Sequence, residues 1–332
     1  MSAAAPLLFS VIIPTRNRAA QFAVALQSVL DQRFRDFEII VIDDGSTDEH
    51  AARYCGLTGH TPGNMRLLTL ARTEQGHGPG HGRNCGAAAA RGDYVCFLDD
   101  DDQWIDPEHL ARVAGVIGAS MEPVDLILAN QRAFRAGKPV TNVNWIENLE
   151  SRLHRRPDLA GAYSVTAAEL LTCPAHCHLN TTIVSREFFR RLDGFDEGLR
   201  YEEDRDFYLR AIDRAGVIKY LPEVVSRHNI PDPASRSSMS TTLSELEKRL
   251  YQLQLLDKAA LFSVRPELRR YAMRHRSYVL KHIATEAARF GQFDRAAYYA
   301  RRALQTGPNV KWAGYTAWLT LRAVVSCRSF RL

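Results

Sequence analysis

Cysteine is scarce: six residues (Cys55, Cys85, Cys96, Cys173, Cys177, Cys327) in a chain of 332. That is too few for a disulfide framework in a chain this size, so reduced thiols are expected. No run of about 18 apolar residues occurs, which excludes a bilayer-spanning helix. The opening MSAAAPLLFS lacks the basic segment and long apolar stretch of a signal peptide, so a cytoplasmic protein is expected. The glycine-rich GHGPGHG (76–82) fits neither the GxGxxG dinucleotide fingerprint nor the Walker-type phosphate loop, and reads instead as a flexible loop. CPAHCH (173–178) offers two Cys and two His without a second pair at matching spacing, so structural zinc is not expected.

Charge is abundant and unevenly placed. From Leu243 onward there are 17 Lys and Arg against 6 Asp and Glu, an excess of +11; the rest carries 26 against 32, a net −6. A basic C-terminal quarter beside an acidic body suits an anionic partner. The first 130 residues alternate short apolar runs with helical patterns, as a βαβ sheet does. FSVIIP (9–14), FEIIVIDDGSTD (37–48), MRLLTL (65–70), DYVCFLD (93–99) and DLILAN (125–130) read as strands. Asn17 is the expected N-cap of the first helix, and Gly92 the end of the Ala-rich helix RNCGAAAARG. Residues 131–175 lack a sustained period and are expected to form loops over a site. A helix from about Asp204 to Ala215 and a strand VIKYLPEVV (217–225) follow, then a polar loop over 227–242. The rest is helical, with a tetratricopeptide-like hairpin turning at Gly291. Two domains are expected, 1–242 and 243–332.

The chemistry concentrates in FLDDDDQW (97–104), where Asp99, Asp100, Asp101 and Asp102 follow an apolar strand. Neighbouring carboxylates repel, so such a cluster is costly without a compensating cation. Mg²⁺ or Mn²⁺ supplies that charge through oxygen ligands and keeps places for substrate phosphates. Ligands of α/β sheets settle outside the carboxyl ends of strands, where this run falls. The alternative is an acidic turn before a helix, with Asp106 as N-cap and Pro107 at the first position. Asp43 and Asp44 end another strand, suited to a nucleotide's N–H or hydroxyl groups, while Asp48 suits a helix cap. Arg83 adds a cation near the expected phosphates.

VIIPTRN, IIVIDDGSTD, GRNCGAAAARGDYVCFLDDDDQW and LDGFDEGLRYEEDRDFYLRA together resemble the inverting family-2 glycosyltransferases of GT-A fold, over roughly residues 8 to 230. The resemblance implies an α/β fold with a mixed, mainly parallel sheet flanked by helices, followed here by a helical C-terminal extension. It implies a nucleotide-sugar donor contacted by Pro14, Arg16, Asp43, Asp44, Arg83, Asp99 and Asp100, with UDP as the expected nucleotide. The DXD element allows two registers: Asp99 on the ribose with Asp101 on the metal, or Asp102 as metal ligand, with His228 a further candidate. The ED element implies Asp204 as general base, with Glu203 beside it. The alternative for Glu202, Glu203, Asp204 and Asp206 is the preference of helix N-termini for negative charge.

The last stretch, 311–332, mixes two Trp, a Tyr and aliphatics with Arg. It suits an interfacial helix at an anionic membrane, at the inner face of the plasma membrane, and equally a helix packed on the catalytic domain or on a second subunit of a homodimer. The expected acceptor is a glycan or lipid-linked hydroxyl; no nucleic acid is expected. Two rival classes are a sugar nucleotidyltransferase and a non-catalytic nucleotide-sugar binder working through its basic tail.

Overall fold

The structure is a computed structural model that describes residues 7–59, 64–140, 146, 148–232 and 238–329, the side chains of 326–329 excepted. Parts of three expected features lie outside these residues: 141–145 of the covering region, 233–237 of the polar loop and the end of the tail. The chain divides into two compact units, Met1–Asp232 and Pro233–Leu332.

The first unit opens with β1 (Phe9–Thr15), α1 (Ala19–Leu30), β2 (Phe37–Asp43), α2 (Asp48–Gly59), β3 (Met65–Thr69), α3 (Pro79–Ala89) and β4 (Tyr94–Phe97). It continues with β5 (Gln103–Trp104), α4 (His109–Ala119), β6 (Leu126–Arg135), β7 (Lys138–Pro139), β8 (Tyr163–Ser164) and α5 (Ala167–Leu170). A 3₁₀ turn at Leu179–Thr181 leads to β9 (Thr182–Ser185), α6 (Arg186–Arg191), α7 (Glu203–Arg214) and β10 (Ile218–Asn229). The strands form one mixed sheet in the order β3-β2-β1-β4-β9-β6-β10-β5. β3, β2, β1 and β4 run parallel; β9 enters antiparallel between β4 and β6, and β10 returns parallel to β6.

β1 and β2 are buried almost throughout, which is why both read as unbroken apolar runs. Phe9, Val11 and Ile13 face Phe22, Leu26 and Val29 of α1 within one core cluster. On the other face α3 lies close to β1: a Cβ added to Gly86 would sit 2.4 Å from Ile12 Cγ2, so only glycine permits this approach. The opposite end of the sheet is tied by buried Glu38, which accepts from Ser10 Oγ, Arg91 N and Arg66.

Several expected caps are relocated. Asn17 does not cap α1; it adopts φ 56° and its Oδ1 accepts from Thr47 N at 2.8 Å, linking the chain after β1 to the turn after β2. A short polar side chain tolerates that left-handed backbone. α4 starts at His109, three residues beyond the Asp106 cap expected, because Asp106 Oδ1 instead closes a tight turn by accepting from Glu108 N. Gly92 does not end α3, which stops at Ala89; it brings the chain against β1, donating to Ser10 Oγ. Residues 227–229, assigned to a loop, are strand: after register shifts between Tyr220 and Ser226, β10 continues beside β6 and pairs with β5.

The second unit comprises α8 (Met239–Thr242), α9 (Glu245–Phe262), α10 (Pro266–Arg289), α11 (Phe293–Thr306) and α12 (Val310–Ser329). Ser244 and Glu247 form a capping box on α9, and Pro266 opens α10. Gly291, at φ 71°, turns the chain between α10 and α11. Ala284, Ala296, Ala297 and Ala300 are fully buried with Leu319, a small-residue seam that lets these helices approach closely. No described helix is long and apolar enough to cross a membrane.

Candidate active site

The carboxyl ends of β1, β2 and β4 open on one crevice: Thr15 is in register with Asp43, and Leu98 N donates to Ile12 O just before the acidic run. Asp43 Oδ1 accepts from Ser46 N, while its buried Oδ2 has no partner among the described residues. Asp44 accepts from the backbone N–H of His77 (2.9 Å) and Gly78 (3.1 Å), and the His77 ring lies 2.7 Å away. Arg16 reaches across to the carbonyls of Thr73 and Glu74, and Gly76 leaves room for it beside Asp44. GHGPGHG is thus a loop and helix start folded over Asp44, with His77 and His81 stacked at 4.9 Å.

The four aspartates of the run are partnered differently, although Asp100 and Asp101 share Arg18. Asp99 Oδ1 receives Arg83 Nη2 at 2.6 Å. Asp100 accepts from Thr15 Oγ1 at 2.8 Å and from Arg18, whose guanidinium also lies 2.9 Å from Asp101. Asp102 accepts from Asn229 N at 2.6 Å, from the Asn180 amide and from His228 Nδ1 at 2.8 Å. Burial and the charges of Asp102 and Asp100 push Asp101 up to about 7. For Asp99 burial acts the same way, but Arg83 and His178 outweigh it and hold the carboxyl below its usual range.

Arg83 is the bridge between the two acidic motifs. Its other nitrogen, Nη1, donates to Glu203 Oε1 at 2.8 Å, and its side chain is only 5% exposed. Burial works against its charge, but Asp99 and Glu203 more than compensate. Glu203 is lifted to about 7 by burial and by neighbouring Asp204, against the pull of Arg83. Glu202 holds φ 66° as the chain enters α7, a strained left-handed position at the site's edge. Asp204 faces the other way. Its Oδ2 lies 3.2 Å from His176 Nε2 and its Oδ1 accepts from Arg205 N; these contacts outweigh burial and keep it ionised.

Two histidines of CPAHCH therefore enter the site without having been singled out by pattern. In the extended stretch 176–178, Cys177 points into the core against Ala129 O and Thr181, so its neighbours emerge together on the other side. His178 lies 3.9 Å from Asp99 and 4.6 Å, ring to ring, from His228. Arg18, Tyr54, His77 and Asn180 were also missed: Arg18, Tyr54 and Asn180 stand outside the motifs, and His77 lies in GHGPGHG, which read only as a flexible loop. The density of Cys and His in six residues was the one available signal.

A divalent cation fits this donor chemistry. Asp102 lies with His178 and His228 in one ligand-sized cluster, Asp101 adjoins it in sequence, and the repulsion by Asp102 and Asp100 that adds to burial in lifting Asp101 is what a cation relieves.

A mainly parallel mixed sheet with acidic residues at its strand ends is the GT-A architecture of nucleotide-sugar enzymes. Residues 10–166 match the model described as Glycosyl transferase family 2. The chain is 31% identical over 227 residues to a PGL/p-HBAD biosynthesis glycosyltransferase of Mycobacterium tuberculosis, covering 68% of this chain and 78% of that one. It is 24% identical over 250 residues to an uncharacterized glycosyltransferase of Haemophilus influenzae, covering 73% and 74%. Among solved structures it is similar to S. aureus TarS 1-349 in complex with UDP-GlcNAc (TM-score 0.64, 19% identity, 96% of this chain and 88% of that one). It is also similar to the mannosyltransferase PcManGT from Pyrobaculum calidifontis in complex with GDP-Man and Mn²⁺ (TM-score 0.58, 18% identity, 96% and 86%). These structural likenesses concern the fold. The chain belongs to glycosyltransferase family 2.

Proposed function

We propose that the protein transfers one sugar from a nucleoside diphosphate donor, UDP-linked, to a hydroxyl of a glycan or glycolipid, with inversion and with Mn²⁺ or Mg²⁺ as cofactor. The observation that carries this reading is the Arg83 bridge, because it sets the turn bearing Asp204 beside the acidic run. The UDP-GlcNAc complex of TarS and the GDP-Man and Mn²⁺ complex of PcManGT support the donor class and the metal.

Asp204, ionised and oriented by His176, takes the acceptor hydroxyl's proton as that oxygen bonds to the anomeric carbon. The bond to the diphosphate breaks on the opposite face, and its electron pair leaves with the nucleotide. Asp44 and Asp43 bind the base side of the donor, bordered by Pro14 and Arg16, with Asp99 and Asp100 nearer the ribose. Arg83 and Glu203 hold the two acidic elements in register. Asp102 and His228, with Asp101 beside them, would hold the cation, which would supply charge neutralisation for the diphosphate.

Asp204→Asn should lower nucleoside diphosphate release by about 10²–10⁴-fold while donor binding, read by calorimetry, is retained. Turnover near wild type would remove the base assignment, and a retained anomeric configuration by NMR would overturn inversion.

We place the acceptor at an anionic membrane surface. α12 presents Val310 (90% exposed), Leu321 (67%) and Val324 (51%) on one face, with Trp318, Lys311 and Arg322 alongside. A second copy would bring the same +11 excess to that face, whereas anionic lipid complements it. The full chain should co-sediment with anionic vesicles and not with neutral ones, and Leu321→Glu with Val324→Glu should release it. Protein left in the supernatant of anionic vesicles would sink the assignment.

A further inference from the structure

At the end of the acidic run, one cluster in the described residues has metal-ligand chemistry: a carboxylate oxygen of Asp102 and one ring nitrogen each of His178 and His228 all lie within 4.8 Å of one another. Resting on the metal-dependent reading above, we propose that His178 is a further direct ligand beside Asp102 and His228, so that two imidazoles join the carboxylate side, and that this site prefers Co²⁺, Zn²⁺ or Mn²⁺ to Mg²⁺.

Three separate pieces of backbone deliver these groups, and Asp102 ties the other two to itself. Asp102 is 2% exposed and fixed by Asn229 N and the Asn180 amide. His228 sits on β10, in register with Ala133 of β6. His178 precedes the 3₁₀ turn, where its carbonyl accepts from Thr181 and Thr182 and buried Cys177 anchors the residue before it. Its ring accepts from Asn180 N at a long 3.4 Å and its Nε2 lies 3.9 Å from Asp99, contacts that a metal bond would readily replace. Two near-touching imidazoles beside a carboxylate are costly to gather unless something shared holds them, since each ring prefers its own hydrogen-bond partners.

The donor set decides the metal. Mg²⁺ demands oxygen ligands in near-ideal octahedral array and gives up water reluctantly. Imidazole nitrogen suits later first-row ions, with affinity rising from Mn²⁺ towards Co²⁺ and Zn²⁺. A site of oxygens alone would discriminate less in this direction.

The test uses the full, chelator-stripped chain without nucleotide. Calorimetric titration should give Co²⁺ at least about tenfold tighter than Mg²⁺, with a visible Co²⁺ absorption band. His178→Gln should weaken Co²⁺ about tenfold or more and shift that band, while changing Mg²⁺ affinity little. Pulsed EPR of Mn²⁺-loaded wild type should show nitrogen modulation from two imidazoles, a readout that stands even if the variant folds poorly. Modulation from a single imidazole, or an unchanged Co²⁺ band in a folded His178→Gln, would overturn the ligand assignment. Asp102→Ala separates the two ideas. Loss of all metals there with no effect at His178 leaves the metal-dependent reading intact, whereas a wild type that takes up no divalent ion with or without UDP removes that reading itself.

Discussion

The two halves of the catalytic sheet reach the same crevice by different means. From Phe9 to Trp104 the site groups hang on the ends of parallel strands, and register alone aligns Thr15, Asp43 and the start of the acidic run. From Leu126 to Asn229 the sheet mixes directions and shifts register, and its site groups arrive on a 3₁₀ turn, on a helix start and past the register shifts of β10. The first half positions by repetition and the second by individual hydrogen bonds. Beside the strand pairing of β4 with β9 and of β5 with β10, Arg83 and the Trp104–Asn180 contact join the two through side chains.

If that junction is real, breaking Arg83 should have the largest effect. Arg83→Met leaves Asp99 and Glu203 desolvated without their cation, and removing one partner of a buried ion pair costs about 3–5 kcal/mol. Urea unfolding should register a loss of that size. Adding Glu203→Gln should recover part of it, because one orphaned charge is removed with its cation. A loss below about 1 kcal/mol, the scale of an exposed pair, would mean that the halves are held together elsewhere.

The same contrast explains what could be read from the residues. The β-branched runs at 9–14 and 37–43 and the acidic clusters behind them announce strands with something anionic to neutralise, and the parallel part of the fold follows from them. The helical hairpin around Gly291 was equally legible, since Ala repeats at helical spacing leave little else to form. His176 and His178 were not, because their roles depend on a two-residue alternation around Cys177 too short to register as a period. Arg83 was legible as a cation but not as a bridge: its second partner, Glu203, lies 120 residues away. The extension of β10 through His228 was hidden by the Pro- and Ser-rich composition that follows it.

His109 offers a smaller and more selective way to test the junction. It is 1% exposed, packs edge-on against Trp104 at 5.0 Å, and neither ring nitrogen has a partner among the described residues. Burial drives its pKa down to about 4; Asp106 opposes that shift and Arg112 adds to it. The folded state therefore keeps the ring neutral where the unfolded chain, with an ordinary histidine near 6.5, already binds a proton. Stability from this source is complete above about 6.5 and falls as pH drops towards 4, by about 3 kcal/mol in all. Urea unfolding followed by tryptophan fluorescence should show wild type losing that much more than His109→Phe between pH 7 and pH 4, with the excess centred on the Trp104 region. Parallel losses in the two proteins would mean that the ring is hydrated or partnered when folded, and that the joint between the sheet's halves is looser than its burial implies.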